Sequence, residues 1–563
     1  MTKLRDHAIA ILLLSAIEGI LIIQFAPQLR PTGGLGRLAF RLFLANFSLV
    51  AIYQFLIWPF FFNPLRNIPG PSSRNLLFGH GLKQFARPPG EHLRQWVNSI
   101  PNNGLLYFRG ILNVPILVPT TAETLKTVLS ENPYDYEKPS KFITLLRRIL
   151  GDGLILVEGD QHRFQRKHLL PSFQVKHIRE LYPMFWQKSC ELTNMMLSET
   201  DSKAEPPPAA FAGNTAPAEK TNGGTVIEFG DWCMRSTLDI IGIAGLGRDF
   251  NSLRNPNDEL VQRYHLVLEP DREKLTWFAM QILFPQWLVS LIPWHINKHI
   301  NEIQAYLLNF ATSMVQTRRR RFDNDKQSQA TMNDIISLLV KSNDFSDNDL
   351  AHQTLTMMAA GHETTSSTLS WCTYLLSLHP DLQRRVRDEV RANLPSPNSG
   401  ETISAAQIDN LPLLNAVCNE TTRLYPTVPV TIREVVKPTP LGGYTLPVGT
   451  NILLVPWAIN RSEHFWGKDA STFKPERWIN ADGSPNNTGG APSNYALLTF
   501  LHGPRSCIGQ GFARSELKCL LAAVVGRYEF ELTKGEETYF PAGLVTSKPD
   551  GGMWLRVKEV PGW

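Results

Sequence analysis

The sequence predicts a mainly α-helical body with a small β-sheet, preceded by an N-terminal membrane anchor. Three observations predict it: two apolar stretches open the chain, helical periodicity dominates the rest, and only four short runs read as strands. The 563 residues suffice for a large core. Charged residues make up 19%, below the roughly 25% of a typical soluble domain. The net charge of +5 is spread along the chain, which excludes a nucleic-acid binder and suits a membrane surface or an acidic protein partner.

The anchor comes first. Residues 8–26 are apolar except for Ser15, Glu18 and Gln24, and no small-residue site marks them as a cleaved signal. Residues 42–62 have the length of a spanning helix, interrupted only by Asn46, Ser48, Tyr53 and Gln54. We therefore expect residues 1–62 to form the anchor, with at least 42–62 embedded. Basic residues flank every apolar segment (Lys3, Arg5, Arg30, Arg37, Arg41, Arg66, Arg74), so the charge rule leaves one or two crossings open. In residues 63–71, Pro64, Pro69 and Pro71 preclude a continuous helix and predict a stiff, bent hinge.

Residues 72–563 form the expected body, without internal repeats. Helical patterns cover 122–130, 177–199, 231–242, 300–322, 347–378, 382–393, 411–425 and 507–528. Strand-like runs lie at 105–107, 116–118, 452–455 and 553–557. Two segments, 201–225 and 480–494, are rich in Gly, Asn, Pro, Ser or Thr and are expected to be surface insertions unable to order themselves. Arg318 to Arg321 end a helical stretch and read as a solvated face, or else a docking patch. Residues 275–296 are apolar with Trp277, Trp287 and Trp294, which suits either a segment dipping into lipid or a buried helix pair. The six cysteines show no disulfide or zinc spacing.

One cysteine stands apart. In Phe500-Leu501-His502-Gly503-Pro504-Arg505-Ser506-Cys507-Ile508-Gly509, a glycine- and proline-shaped loop turns a sulfur outward just before a helix. A helix start lowers a thiol's pKa. Gly503 and Gly509 permit close backbone approach, and Arg505 offers a cation to an acidic cofactor group. The loop resembles that of the haem-thiolate monooxygenases called cytochrome P-450, Phe-x-x-Gly-x-Arg-x-Cys-x-Gly. All five fixed positions match, against a chance expectation of about 10⁻⁴ per chain of this length.

Further motifs follow the same order. Ala360-Gly361-His362-Glu363-Thr364-Thr365 interrupts a helical pattern with residues of low helix propensity, as functional sites do. Threonine there can bond back to a carbonyl and open the helix. By resemblance to the family's oxygen-binding helix, Glu363 and Thr364 are the acid–alcohol pair that relays protons. Glu420 and Arg423 share one helix face, and Arg477 follows in Pro475-Glu476-Arg477-Trp478. The resemblance makes these three a buried structural network, with Trp478 where the family commonly has Phe. His162 and Arg166, one turn apart, resemble a helix that binds haem propionates, with His162 where Trp is commonest. Arg433 also matches a propionate contact, although Glu434 beside it allows a plain surface pair.

The resemblance covers about residues 68–563 and implies a cytochrome P-450 fold holding haem b through Cys507, with Phe500, Gly503, Arg505 and Gly509 shaping its loop. It implies insertion of one oxygen atom from O2 into an apolar small molecule. No strand–GxGxxG–helix unit for NADPH or flavin is present. Electrons would come from NADPH through a separate flavoprotein reductase, and the protein would sit in the endoplasmic reticulum membrane with its catalytic domain in the cytosol. By family position, Met357, Ala360, Val428, Val430 and Leu544 would touch substrate. The insertions and the His162 helix look like fungal members that tailor specialised metabolites such as terpenoids or polyketides. A fatty-acid or sterol hydroxylase, a haem-thiolate isomerase or dehydratase needing no reductase, and a haem-binding sensor are the competing readings. A transporter has too few apolar spans to be one of them.

Overall fold

The computed structural model describes residues 2–25, 34–73, 75–201, 224–260, 262–263, 272–284, 288–289, 291–324, 334–543 and 545–563. Most of segment 201–225, part of segment 275–296 and Leu544 lie outside the described residues.

Helices dominate, as the periodicity predicts. Thr2–Phe25 (α1) and Gly34–Ile52 (α2) open the chain, and α2 runs on through a π-helical stretch, Tyr53–Phe62. Its residues 36–62 are long and apolar enough to cross a membrane, and 10–25 form a shorter apolar helix. The two helices meet through Asn46, whose amide donates to Ser15 Oγ at 3.1 Å and to Glu18 Oε2 at 2.7 Å. Downstream come Gly159–Leu169 (α3), Tyr182–Asp201 (α4), Phe229–Leu246 (α5), His295–Asn324 (α6), Asp347–Leu378 (α7), Pro412–Leu424 (α8) and Gln510–Arg527 (α9). The predicted helix over 177–199 is broken at Leu181. A first piece ends at Glu180 and α4 starts at Tyr182, with Pro183 in its first turn where a missing N–H costs nothing.

The long α7 is the spine of the main core. Ser346 caps it and Asp349 bonds back, forming a capping box. It packs chiefly on α5. A Cβ on Gly361 would sit 2.7 Å from Ile241 of α5, so the glycine permits this close crossing. The helix runs unbroken from 347 to 378. Thr364 does bond back, donating to the Ala360 carbonyl at 2.9 Å, but it does not open the helix.

A five-stranded sheet adjoins this bundle: Leu105–Arg109 (β1), Pro115–Pro119 (β2), Tyr136–Glu137 (β3), Thr431–Val435 (β4) and Asn451–Leu454 (β5), in the order β1-β2-β5-β4-β3. All pairs are antiparallel except β2 with β5. Glu137 lies opposite Glu434, which brings Lys138 toward Arg433.

Two surface expectations need correction. Segment 480–494 is a run of side-chain-closed turns. Asp482 Oδ1 accepts from the amide and hydroxyl of Ser484, and Asn486 Oδ1 accepts from Thr488 and Gly489. Gly489 packs against the rings of Trp466 and Trp478. The Arg318–Arg321 run is also split. Arg318 is buried, pairs with Asp334 at 3.2 Å and donates to the Leu246 carbonyl, and Arg319 meets Asp347 at 2.5 Å, leaving only Arg320 and Arg321 as a solvated face.

Candidate active site

The Cys507 loop is closed by its own backbone, the Cys507 amide donating to the Phe500 carbonyl at 2.8 Å. Gly503 has φ +72°, and a Cβ there would strike the Leu129 carbonyl, so only glycine fits. Gly509 differs: its φ is −86°, and the nearest protein atom to a Cβ there is 3.9 Å away, on Phe173. The protein itself does not require glycine at that position. Arg166 of α3 braces the loop, donating to the Ser506 carbonyl at 2.5 Å and to Ser506 Oγ at 3.2 Å.

Protein atoms crowd around Cys507, yet it is the one exposed cysteine by solvent access. Both facts fit a sulfur that lines a recess open to water. Burial pushes the thiol's pKa up, and the Gly509 amide and the Arg166 charge only partly oppose that. The helix start therefore does not make a thiolate by itself, contrary to the sequence expectation. A cation bound at sulfur would. Among the described residues, no group of three or more His, Cys, Asp or Glu stands ready to cage a bare ion.

Beside the loop lies a crowd of cations. Arg505 donates to the carbonyls of Pro133 and Tyr136 and to the Glu158 carboxylate, while its Nε is buried without a partner. Lys138 meets Glu158 at 3.0 Å. Arg433, on β4, is 5% exposed. It donates only to Thr431 Oγ1 and the Ile432 carbonyl, and no carboxylate among the described residues pairs with it. Glu434 makes no ion pair with it among the described residues, and Arg433 is buried, so the surface-pair alternative falls. Burial holds Arg433 down to about 10; burial and then the Arg433 charge hold Lys138 down to about 8. His162 is held at about 4 by burial and then by Arg505, and its Nδ1 lies 3.2 Å from the Tyr134 hydroxyl. His162 is thus neutral at pH 7. Arg166 turns to Ser506 instead of joining this cluster.

A dehydrated cation cluster without matching anions is costly unless an anion completes it. These residues fit a flat cofactor with acidic side groups and a thiophilic metal. Sequence reasoning missed Lys138 and Glu158. Glu158 precedes α3 where a cap is expected, but its carboxylate is committed to Lys138 and Arg505.

The spine helix, packed against α9, carries one open facet. From Gln353 to Leu376 every α7 residue is buried except Ala360, Gly361 and Thr364, which share one face. Glu363 lies off that face. Burial raises its pKa, opposed by the Lys548 charge and the Thr546 hydroxyl. Met357 is buried, and Val428 and Val430 are half-buried, with Val430 against Gly90.

The Glu420 network is fully closed. Glu420 accepts from Arg423 at 2.7 and 2.8 Å, from Arg477 at 3.0 Å, from the Lys474 amide at 3.0 Å and from the Trp478 indole at 2.8 Å. Trp478 therefore adds a bond that Phe lacks. Arg423 also donates to the carbonyls of Asn460 and Ala470.

A family model described as cytochrome P-450 matches residues 69–555. The chain is 39% identical to the cytochrome P-450 monooxygenase sphH of Aspergillus fumigatus, covering 91% of each. It is 35% identical to the cytochrome P-450 monooxygenase ALT8 of Alternaria alternata, covering 91% of this chain and 92% of that one. It is 34% identical to the cytochrome P-450 monooxygenase buaD of Petromyces alliaceus, covering 92% of each. A thiol-bearing loop, a long helix carrying Glu363 and Thr364, and a closed carboxylate network in the family's order, over nearly the whole length of these relatives, place this chain in the cytochrome P-450 family of haem-thiolate monooxygenases.

Proposed function

We propose that Cys507 Sγ holds the iron of one haem b, that Arg433, Arg505 and Lys138 receive its propionates, and that the enzyme inserts one oxygen atom into an apolar specialised metabolite such as a terpenoid or polyketide. The observation that carries this reading is the deep, water-reachable sulfur next to a buried guanidinium that has no carboxylate. The haem, once bound, supplies the oxygen-activating chemistry, and the thiolate favours O–O cleavage. The chain's own residues do the rest. Arg505 and Arg433 orient the acidic edge, His162 offers a neutral hydrogen bond, and Arg166 fixes the loop. Thr364 Oγ1 is the polar atom on the open facet of α7, holding a proton it now gives to Ala360. Glu363, its pKa raised by burial, stands behind that facet as the acid of the pair. Ala360, Met357, Val428 and Val430 offer apolar surface that excludes water.

Electrons come from NADPH through a separate flavoprotein reductase, and the anchor holds the protein in the endoplasmic reticulum membrane with its catalytic body in the cytosol. The Glu363-Thr364 pair favours monooxygenation over isomerisation or dehydration. Reconstitution with reductase in lipid tests this: product formation should require NADPH, reductase and O2 together. Product without NADPH would favour the isomerase reading. A fatty-acid or sterol hydroxylase would show itself by turnover of those lipids alone.

A further inference from the structure

Polar side chains are scarce in the two opening helices, and three of them meet between the helices. The Asn46 amide of α2 donates to both Ser15 Oγ and Glu18 Oε2 of α1. Ser15 Oγ donates its own proton to the Ile11 carbonyl at 2.6 Å, which leaves its lone pairs to Asn46. Ile11, Ser15 and Gly19, spaced by four along one face of α1, are buried, and so is Leu38 of α2. Ser15 and Gly19 form the kind of small-residue pair that lets two helix backbones approach closely. The outer faces are the reverse of a soluble pair. Leu13, Ile17 and Ile20 of α1 and Phe40, Leu44 and Leu49 of α2 are all exposed. Polar inside and apolar outside is the arrangement hydrocarbon selects, and an ionisable group such as Glu18 needs a partner there.

Direction and length agree with this. Ser15 lies ten residues before the end of α1 at Phe25, and Asn46 twelve after the start of α2 at Gly34. Contacts nearly equidistant from the two ends that the chain joins belong to an antiparallel pair. Residues 36–62 are long enough to cross a membrane. Residues 8–25 of α1 rise about 27 Å, which matches the thin hydrocarbon layer of the endoplasmic reticulum, also about 27 Å. The flanking charges, indecisive by themselves, go with two crossings. A single crossing by α2 would put Lys3, Arg5, Arg30, Arg37 and Arg41 on the far side, against Arg66 and Arg74 beside the catalytic body. Two crossings leave only Arg30, Arg37 and Arg41 on the far side and return Lys3 and Arg5 to the cytosolic side, where basic residues are favoured.

We propose that α1 and α2 cross the bilayer as an antiparallel hairpin clamped by Asn46, so that the N-terminus lies in the cytosol with the catalytic body and residues 26–33 face the lumen. This rests on the membrane-anchor reading above. Full-length protein with an N-terminal epitope, in sealed microsomes, tests it. Protease added outside should remove the epitope from intact vesicles. Thr32→Cys should escape a membrane-impermeant maleimide added outside and take up the label once the vesicles are opened. The pair S15C/N46C should form a disulfide within one chain under copper–phenanthroline, read by mass spectrometry of the linked peptides. Protein retained after alkaline carbonate with its epitope protected until detergent is added would overturn the hairpin alone and leave a single crossing. Thr32→Cys labelled from outside, or still unlabelled in opened vesicles, would overturn the two crossings. A cytosolic N-terminus without the S15C/N46C cross-link would overturn the clamp. Release of wild type by carbonate would overturn the anchor reading and the hairpin with it.

Discussion

The protein holds two buried charge clusters that are built alike and end differently. Around Glu420, one carboxylate is saturated by two guanidinia, an indole and an amide, and Arg423 is saturated in turn. Around Arg433 and Arg505, cations outnumber the anions they touch, and among the described residues Arg433 has no carboxylate and one nitrogen of Arg505 has no partner. A closed cluster stabilises the fold as it stands. An open one is complete only when a ligand brings negative charge. That difference separates structural charge from binding charge without reference to any bound molecule.

The clusters should respond oppositely to loss of one member. Glu420→Gln leaves two buried guanidinia without their anion and should cost about 3–5 kcal/mol, seen in urea unfolding of the haem-free protein. Arg433→Gln should leave haem-free stability unchanged or improved, while haem affinity falls about 10–100-fold, measured by haem titration. If Arg433→Gln destabilised the haem-free protein as much as Glu420→Gln, the comparison would break.

Acid sharpens it further. The His162 pKa is about 4 in the folded chain against 6.5 for an unperturbed histidine, so the unfolded chain binds more protons between those values. The stability His162 contributes is present above about pH 6.5 and lost as pH falls toward 4. His162→Gln should flatten the fall of haem-free stability over that window by about 1–3 kcal/mol. An unchanged slope would remove His162 as its source. Thr364→Ala should be the mildest of these changes to the fold, because it removes one back-bond on the open facet. Haem and stability should persist while O2 consumption uncouples from product. Unchanged coupling would take Thr364 out of the proton path.

The same contrast explains what could be read in the sequence. Cys507 and its glycines lie in one contiguous loop, and Glu420, Arg423 and Arg477 keep fixed spacing, so both were legible. Lys138, Glu158 and Arg433 converge only because the sheet register sets Glu137 opposite Glu434. No local pattern encodes that. Segment 480–494 was misread because Asn, Asp and Thr that close turns have the same composition as a chain that stays unfolded. Arg318 was misread as solvated because its partner Asp334 lies beyond a separate stretch of chain. The thiol's pKa went the other way because helix-start arguments weigh the local dipole and not the burial around it.

The most direct test is the reduced carbon monoxide difference spectrum of the full-length protein. Thiolate ligation shifts the Soret band far to the red of histidine ligation. Wild type should show the shifted band, and Cys507→Ala should lose it while circular dichroism stays helical. A haem-loaded wild type without the band, or a Cys507→Ala variant that keeps it, would contradict the assignment of Cys507 as the iron's ligand.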